Sequence, residues 1–441
     1  MLGRDPISIS ADFADFFQSI SINNADTISM RYGEVTRALN LEFRGTDNRV
    51  ANNMQVGSYG RHTAIRGISD LDMLYVMPAS AWDDYKDGGQ YKLLKRAADA
   101  IRSRYSRTKV YPDILVVVVE YSNFKIEVQP VFDDGNGHYL YPYTRNGGTW
   151  RTTKPRPELL ATADVDKDKN GNLRRLAKLT RAWKNKHGVA MGGLLIDTLA
   201  YNYLRTTDEF DETSFGGCAN MITGFLEYLS NEQDHDRYHA LGSGQHVKVH
   251  KKFQKKASKG LKIAQDALAA GETASANNYW RALFGRAFPV AQTNIAESAL
   301  AKSSSSNPMR HEDFVEDIFP VDVRYAMRIE CEVSQSGFRS FLMRANKATR
   351  LSRFIEKEKN LRFFIGTHTI KGDFKVYWKV LNRGSEAIRR DMVRGQIELG
   401  TPTKIEHSSF RGEHVVDCYA VQNGVVIAKD RIHVPITEGS Q

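Results

Sequence analysis

Two aspartates, Asp70 and Asp72, lie two residues apart at the start of the apolar segment DLDMLYV. Residues at this spacing face the same side of a β-strand, so the strand would place two carboxylates together. Burial removes hydration from each carboxylate, and a nearby cation must then compensate the two charges. Mg²⁺, or Mn²⁺ in its place, prefers oxygen ligands, which substrate phosphates also supply. The spacing therefore predicts a magnesium site for a reaction at phosphorus.

A pair of such ions would support the attack of a hydroxyl group on the α-phosphate of a nucleoside triphosphate, with pyrophosphate as the leaving group. This chemistry needs a third carboxylate on a neighbouring strand. Glu120 and Glu127 are the candidates, because both lie in the apolar stretch DILVVVVEYSNFKIEVQPVF. We favour Glu127, which has apolar residues on both sides, and interpret Glu120 as a solvated strand end.

The pair Gly57–Ser58 comes shortly before the two aspartates. A glycine lets the backbone approach a phosphate closely, and a serine adds a hydroxyl to its backbone N–H. A Gly-Ser pair alone has little predictive value, but here the tetrapeptide Ser-Asp-Leu-Asp follows at Ser69 and enters a strand. The structural alternative is that the aspartates cap a turn or pair with Arg61 and Arg66.

The basic composition is compatible with phosphate-bearing ligands, but many cytosolic proteins are modestly basic. The 441 residues have a formal net charge of +10, which favours nucleotides or nucleic acid as partners. No apolar run approaches the length that spans a bilayer, and no secretory signal pattern is found, so we expect no membrane association. Cys218, Cys331 and Cys418 are few and far apart. They predict free thiols in a cytoplasmic protein.

The periodicity of the apolar residues predicts an α+β fold with a separate β domain. Residues 1–165 combine N-terminal helices with the strands that contain the acids, and residues 166–300 are mostly helical. The serine-rich stretch 301–319 is typical of a linker. Beyond it, residues 320–437 predict a small β-sandwich, in which Asn423–Gly424 is a strong hairpin signal.

The motif GSYGRHT followed by SDLDMLYV, together with IEVQPVF, resembles the nucleotidyltransferase superfamily related to DNA polymerase β. Within it, the chain is most similar to the bacterial cyclic-oligonucleotide synthases, called CD-NTases or SMODS proteins. The loop YLYPYTRNGGTWRTTKPRPEL and the helix LRRLAKLTRAWK resemble further parts of these enzymes. The segment VYWKVLNRGSEA resembles their adenylyl/guanylyl and SMODS C-terminal sensor domain. The resemblance covers nearly the whole chain and implies a bilobal polymerase-β-like core, whose helical second lobe completes a nucleotide cleft.

The resemblance also implies a role for individual residues. The catalytic residues, which would also bind the metal ions, are Asp70, Asp72 and Glu127. The residues that would bind the nucleotide are Gly57, Ser58, Ser69 and Arg181. Arg181 stands where the family has a phosphate-binding lysine, and an arginine can make the same contact with two donors.

Two positions depart from the family pattern. Many relatives have an aspartate where this chain has Glu127. Relatives often have Ser-Tyr, whose tyrosine stacks on a base, where this chain has Gly193 and Leu194. The residue that stacks on the base therefore stays unassigned. We interpret His62, inside the Gly-Ser loop, as a loop or phosphate contact, because a metal ion would activate the hydroxyl.

The function implied by the resemblance is the synthesis of a cyclic di- or trinucleotide second messenger in bacterial anti-phage signalling. ATP would be a substrate, with GTP and other nucleoside triphosphates as further candidates. The product would act on a separate effector, and a regulatory partner or ligand would bind the C-terminal domain. One alternative is a linear oligoadenylate or RNA-tailing nucleotidyltransferase. Another is a non-catalytic nucleotide or RNA sensor, against which the intact set of acids argues.

Overall fold

The computed structural model describes residues 8–291, 313–319, 321–346, 355–383, 385–390, 392–422 and 424–437. These residues fall into two compact units. The first contains the described residues up to 291 except 188–190, and the second contains 188–190 and the described residues from 313 onward. The boundary expected at residue 165 lies within the first unit, and that subdivision stays a prediction.

The first unit combines α-helices with a mixed sheet. Its helices are α1 (Ile9–Ser19), α2 (Ala25–Arg44), α3 (Gly57–Gly60), α4 (Gln90–Arg104), α5 (Pro155–Asp168), α6 (Asn172–His187), α7 (Gly193–Leu204), α8 (Cys218–Asn231), α9 (Gln254–Ala269) and α10 (Ala274–Phe284), with 3₁₀ turns at Ala79–Asp84 and Phe215–Gly217. Its strands are β1 (Asn53–Gln55), β2 (Asp70–Val76), β3 (Lys109–Pro112), β4 (Val117–Glu120), β5 (Lys125–Asp133), β6 (Tyr139–Tyr143), β7 (Thr149–Thr153), β8 (Arg237–His239) and β9 (His246–Lys248).

The main sheet has the order β1-β2-β5-β4-β3, and β6 extends it by pairing with both β5 and β7. Strands β2 and β5 run parallel, whereas the other neighbours are antiparallel. The parallel register pairs Asp70 with Lys125 and Asp72 with Glu127. The residues that could take part in chemistry therefore come from two central strands that are far apart in the sequence.

The two faces of this sheet differ in polarity, which explains how an apolar strand can contain two aspartates. Leu71, Met73 and Tyr75 of β2 point to one face, together with Ile126 and Val128 of β5, and all are buried. Their core also contains buried side chains of α2 and α4. Because alternate residues face opposite sides, the acids of β2 and β5 lie on the other face.

The remainder of the first unit is mostly helical, as the sequence predicts. Helices α6 to α10 pack on one another, and Trp183 of α6 is completely buried. The histidine-rich stretch from His235 contains the antiparallel hairpin of β8 and β9. Among the described residues, no helix is both long and apolar enough to cross a bilayer.

The second unit is a β-sandwich, as predicted. Its strands are β10 (Met327–Ser334), β11 (Phe341–Leu342), β12 (Ile355–Glu356), β13 (Asn360–His368), β14 (Lys375–Arg383), β15 (Arg394–Gly400), β16 (Thr403–His407), β17 (Gly412–Gln422) and β18 (Val425–Thr437), with short helices α11 (Val315–Ile318), α12 (Met343–Asn346) and α13 (Ser385–Arg389). One sheet has the order β11-β10-β13-β16 and the other β12-β18-β17-β14-β15. A single buried cluster contains side chains from both sheets.

Two local expectations for this region have different outcomes. The predicted hairpin is confirmed, since β17 and β18 pair directly and Gly424 has a φ of +77°, although Asn423 lies outside the described residues. Of the expected linker at 301–319, residues 301–312 also lie outside them. The rest of that stretch contains α11, whose Val315 is buried against the sandwich.

Candidate active site

The structure brings Asp70, Asp72 and Glu127 onto one face of the main sheet. Asp72 and Glu127 are direct partners on the parallel strands β2 and β5, and Asp70 lies one pleat away on the same side. The side chains of Asp70 and Glu127 are partly exposed, so solvent and a ligand can reach them. The sheet register thus assembles the three acids that the sequence singled out.

A lysine that sequence reasoning missed lies among these acids. The Nζ atom of Lys125 is 2.5 Å from Oε1 of Glu127 and 3.4 Å from Oδ1 of Asp70. Lys125 is the register partner of Asp70 and precedes Glu127 by two residues. The period of a strand would have placed it on the acidic face, but the sequence alone did not indicate that its ammonium turns inward.

The acidic face suits a magnesium ion, although the acids are not arranged around one. Among the residues that the structure describes, no three histidine, cysteine or carboxylate side chains are close enough together to hold a metal ion as they stand. The donors on this face are carboxylate oxygens, which are the ligands that Mg²⁺ prefers. The ammonium of Lys125 occupies the position of a cation between two of them. That Asp70, Asp72 and Glu127 bind a metal ion stays a prediction.

The Gly57–Ser58 turn is pressed against Asp72. Helix α3 follows β1 directly, and the N–H of Val56 donates to the carbonyl oxygen of Asp72 at 3.1 Å. A Cβ atom on Gly57 would lie 1.9 Å from Oδ2 of Asp72, and Gly57 has a φ of +65°. Both the space and the backbone conformation thus require glycine.

Helix α2 supports this turn from the other side. The hydroxyl of Tyr32 donates to the backbone oxygen of Asp72 at 2.9 Å, and its ring stacks on Tyr59 of α3 with 6.3 Å between centroids. Burial, with a further contribution from the charge of Asp72, raises the pKa of Tyr32 well above its ordinary value. Tyr32 therefore stays protonated and keeps donating this hydrogen bond.

A buried cluster around Asp197 joins the turn to the helices. Arg181 of α6 donates to both oxygens of Asp197, at 2.7 and 3.0 Å, and Arg61 donates from Nε at 2.8 Å. The hydroxyl of Thr63 adds a bond at 3.0 Å. Asp197 is only 1% exposed. Burial alone would raise the pKa of its carboxyl, but Arg181 and Arg61 outweigh burial and hold that pKa below its usual value.

This cluster gives Arg181 a structural partner in addition to its expected phosphate. Its Nη2 also donates to the carbonyl oxygen of Gly193 at 3.1 Å. A Cβ atom on Gly193 would lie 3.3 Å from that nitrogen and 3.9 Å from Cβ of Ser58, so the three residues are neighbours. The structure thus places Arg181 beside the Gly-Ser turn but buries its guanidinium against Asp197. A phosphate contact from Arg181 stays a prediction.

Two further residues from the sequence lie at the border of the site. Ser69 is buried just before β2, and its carbonyl oxygen accepts a bond of 2.9 Å from the N–H of Lys125. Glu120 is the register partner of Lys125 on β4, but it accepts from the hydroxyl of Tyr111 at 2.7 Å and lies 3.1 Å from the ammonium of Lys109. Glu120 thus has its own partners near the sheet edge.

His62 lies two residues after the end of α3 and is exposed, with a left-handed φ of 58°. Partial burial of its ring and the nearby charges of Arg174 and Lys178 lower its pKa. A neutral imidazole beside two cations adds no positive charge for a phosphate. Its expected phosphate contact stays a prediction.

Comparison with known proteins finds a family model for part of each unit. Residues 7–166 match the Second Messenger Oligonucleotide or Dinucleotide Synthetase domain, abbreviated SMODS. Residues 309–437 match the Adenylyl/Guanylyl and SMODS C-terminal sensor domain. The region that matches the SMODS model contains the three acids and the Gly-Ser turn.

Individual relatives of this chain are distant. A probable cyclic nucleotide synthase of Bacillus cereus (strain VD146) is 20% identical over 42% of this chain and 64% of its own length. The cyclic AMP-AMP-AMP synthase of an Acinetobacter species is 26% identical over 56% of this chain and 76% of its own. A chain of the E. coli MS115-1 CdnC:HORMA-deltaN complex has a TM-score of 0.48 at 15% identity, covering 64% of this chain and 98% of that one.

The contact between Gly57 and Asp72 predicts the effect of adding one methyl group to the turn. Gly57→Ala must move the Asp72 carboxylate in addition to adopting a left-handed backbone. Gly88→Ala is the matched control, because Gly88 has a φ of +74° but no atoms within 4 Å of an added Cβ. We expect Gly88→Ala to lower the free energy of unfolding by about 1 kcal/mol, and Gly57→Ala by about 1–3 kcal/mol more. Urea denaturation measures both, and equal losses would contradict the close contact.

The Asp197 cluster predicts a large loss of stability when its negative charge is removed. Asp197→Asn leaves the buried guanidinium of Arg181 without its carboxylate and leaves Arg61 with only Glu158, at 3.5 Å, so we expect the free energy of unfolding to fall by about 3–5 kcal/mol. Asp47→Asn, at the exposed pair of Asp47 with Arg37, is the control and should cost less than about 1 kcal/mol. Urea denaturation near pH 7 gives both values.

The same carboxyl predicts a dependence on pH. Because the folded protein holds the pKa of Asp197 below that of an unfolded aspartate, its stabilisation is complete above the unfolded pKa of about 4. It is lost as the pH falls through the lower, folded pKa. The difference in unfolding free energy between the parent protein and Asp197→Asn should therefore shrink below about pH 4.

Proposed function

We propose that this protein is a metal-dependent nucleotidyltransferase that joins nucleoside triphosphates into a cyclic oligonucleotide with release of pyrophosphate. The observation that carries the proposal is the register of β2 and β5, which sets Asp72 opposite Glu127 with Asp70 on the same face. The Gly-Ser turn lies against the same acids. The names of the two curated relatives, both nucleotide synthases, support the same reaction class.

In the proposed reaction, the acids and the Gly-Ser turn have different roles. Asp70, Asp72 and Glu127 would hold two Mg²⁺ or Mn²⁺ ions, which when bound lower the pKa of the attacking hydroxyl and neutralise charge on the phosphates. Gly57 brings the backbone of its turn against Asp72. Ser58 would donate its hydroxyl and N–H to the triphosphate, and this turn would thus present the α-phosphate to the acidic face.

We infer further that ATP is a substrate, because one relative is a cyclic AMP-AMP-AMP synthase, with GTP and other nucleoside triphosphates as further candidates. The product would be a cyclic di- or trinucleotide. Since one acidic face serves every bond, the linear intermediate must turn round before the ring closes. In the cell, the protein would act in the cytoplasm in anti-phage signalling, with a separate effector for the product and a regulatory partner or ligand at the β-sandwich.

Product analysis tests the reaction. The purified protein is incubated with MgCl₂ and radiolabelled ATP, alone and mixed with GTP, CTP and UTP. We expect a labelled product that resists phosphatase, because a closed ring has no terminal phosphate, and mass spectrometry then gives its bases and ring size. A product made only of phosphatase-sensitive chains would instead identify a linear oligoadenylate or RNA-tailing enzyme. Nucleotide binding without any product would identify a sensor.

Replacement of the acids by their neutral amides tests their assignment as metal ligands. Glu127→Gln and the double variant Asp70→Asn, Asp72→Asn remove metal-binding charge, so we expect nucleotide incorporation to fall about 100-fold or more. Glu120→Gln is the control, because Glu120 lies on the same sheet face but is engaged by Tyr111 and Lys109. It should retain most of the activity. Unchanged incorporation in the double variant would refute the metal site, and a larger loss in Glu120→Gln than in Glu127→Gln would exchange the roles of the two glutamates.

A further inference from the structure

Lys125 makes close contacts with the acidic face. Its ammonium lies 2.5 Å from a Glu127 oxygen and 3.4 Å from an Asp70 oxygen, so it bridges acids from both central strands. Its own backbone N–H is fixed by the carbonyl of Ser69. Its side chain is 19% exposed, and the two charges therefore interact in partly desolvated surroundings. Such an ion pair is stronger than one on an open surface.

A divalent cation on this face would compete with this ammonium for carboxylate oxygens. Lys125 contacts oxygens of Asp70 and Glu127, which are two of the proposed metal ligands. Two cations within a few ångströms of each other repel strongly where water is partly excluded. The four-carbon stem of a lysine is flexible, and its head can leave while the backbone of β5 stays in place.

We propose that Lys125 is the built-in counter-ion of the metal site. It holds Asp70 and Glu127 together in the metal-free protein and is displaced when the first divalent cation binds. This inference rests on the metal site of the proposed function and adds a residue to it. Lys125 is a positioning residue, because it acts on the metal-binding carboxylates and lowers the affinity for the metal that replaces it.

Direct measurement of metal binding tests this role without any substrate. Free Mn²⁺ is followed by electron paramagnetic resonance during titration of the full-length protein, and thermal denaturation is recorded with and without MgCl₂. Lys125→Met removes the charge and keeps an unbranched side chain. Because a competing cation is gone, we expect Mn²⁺ to bind about tenfold more tightly. The metal-free variant should melt lower than the parent protein, and MgCl₂ should raise its Tm by more than it raises the parent's.

Two matched variants separate charge from shape and position. Lys125→Arg keeps the positive charge, so its Mn²⁺ affinity should stay within about threefold of the parent. Lys109→Met removes a lysine that also pairs with a sheet glutamate, Glu120, but is 69% exposed and away from the metal-binding acids. It should leave Mn²⁺ affinity unchanged. If Lys125→Met does not fold, Lys125→Gln serves in its place, because an amide can still donate to Glu127 without a charge.

The outcomes distinguish this inference from the proposed function. Tighter Mn²⁺ binding in Lys125→Met, but not in Lys125→Arg or Lys109→Met, supports the counter-ion role. If Lys125→Met binds Mn²⁺ no more tightly than the parent protein, and the parent protein binds it clearly, the counter-ion role is overturned. The metal site of the proposed function then still stands. If the parent protein binds no Mn²⁺ and its Tm does not respond to MgCl₂, the metal site of the proposed function fails, and the inference fails with it.

Discussion

The parallel pairing of β2 with β5 is the constraint on which the site depends. It sets Asp72 directly opposite Glu127, and the two-residue period of each strand then adds Asp70 and Lys125 to the same face. A shift of one residue in this register would turn one strand's acids into the core. The buried residues on the opposite face, such as Leu71 and Ile126, oppose that shift, because it would expose them to water. The hydrophobic core on one face of the sheet therefore fixes the geometry of the polar site on the other.

The protein compensates buried negative charge in two different ways. Asp197 is enclosed by Arg181 and Arg61 from separate elements, and its ion pairs are buried. Asp70 and Glu127 share one flexible lysine at a partly open surface. The first arrangement suits a fixed connection, since it holds α6, α7 and the loop after α3 together. The second suits a site where one cation replaces another, because less desolvation opposes the exchange.

The Gly-Ser turn links these two arrangements. On one side Gly57 contacts the carboxylate of Asp72, and on the other Arg61, which follows α3 directly, reaches Asp197. Tyr32 adds a third support through its hydrogen bond to the backbone of Asp72. The turn is thus held by the sheet, by α2 and by α7 at once. A phosphate-binding loop fixed in this way would lose little conformational freedom when a ligand binds, which favours binding.

The sequence by itself determined the fold class, the β-sandwich at 320–437 and the hairpin before Val425, and it showed the resemblance to the SMODS proteins. It also singled out Asp70, Asp72 and Glu127, because acids within apolar strands are costly and their period-two spacing assigns a face. It did not reveal the role of Lys125, since a lysine beside a strand acid most often points to solvent. It did not reveal Asp197 as the partner of Arg181 either. Which charges meet depends on packing between segments far apart in the chain, and local periodicity contains no information about that packing. Only the tertiary structure decided that Arg181 is buried against Asp197 and that Lys125 lies among the acids of the sheet.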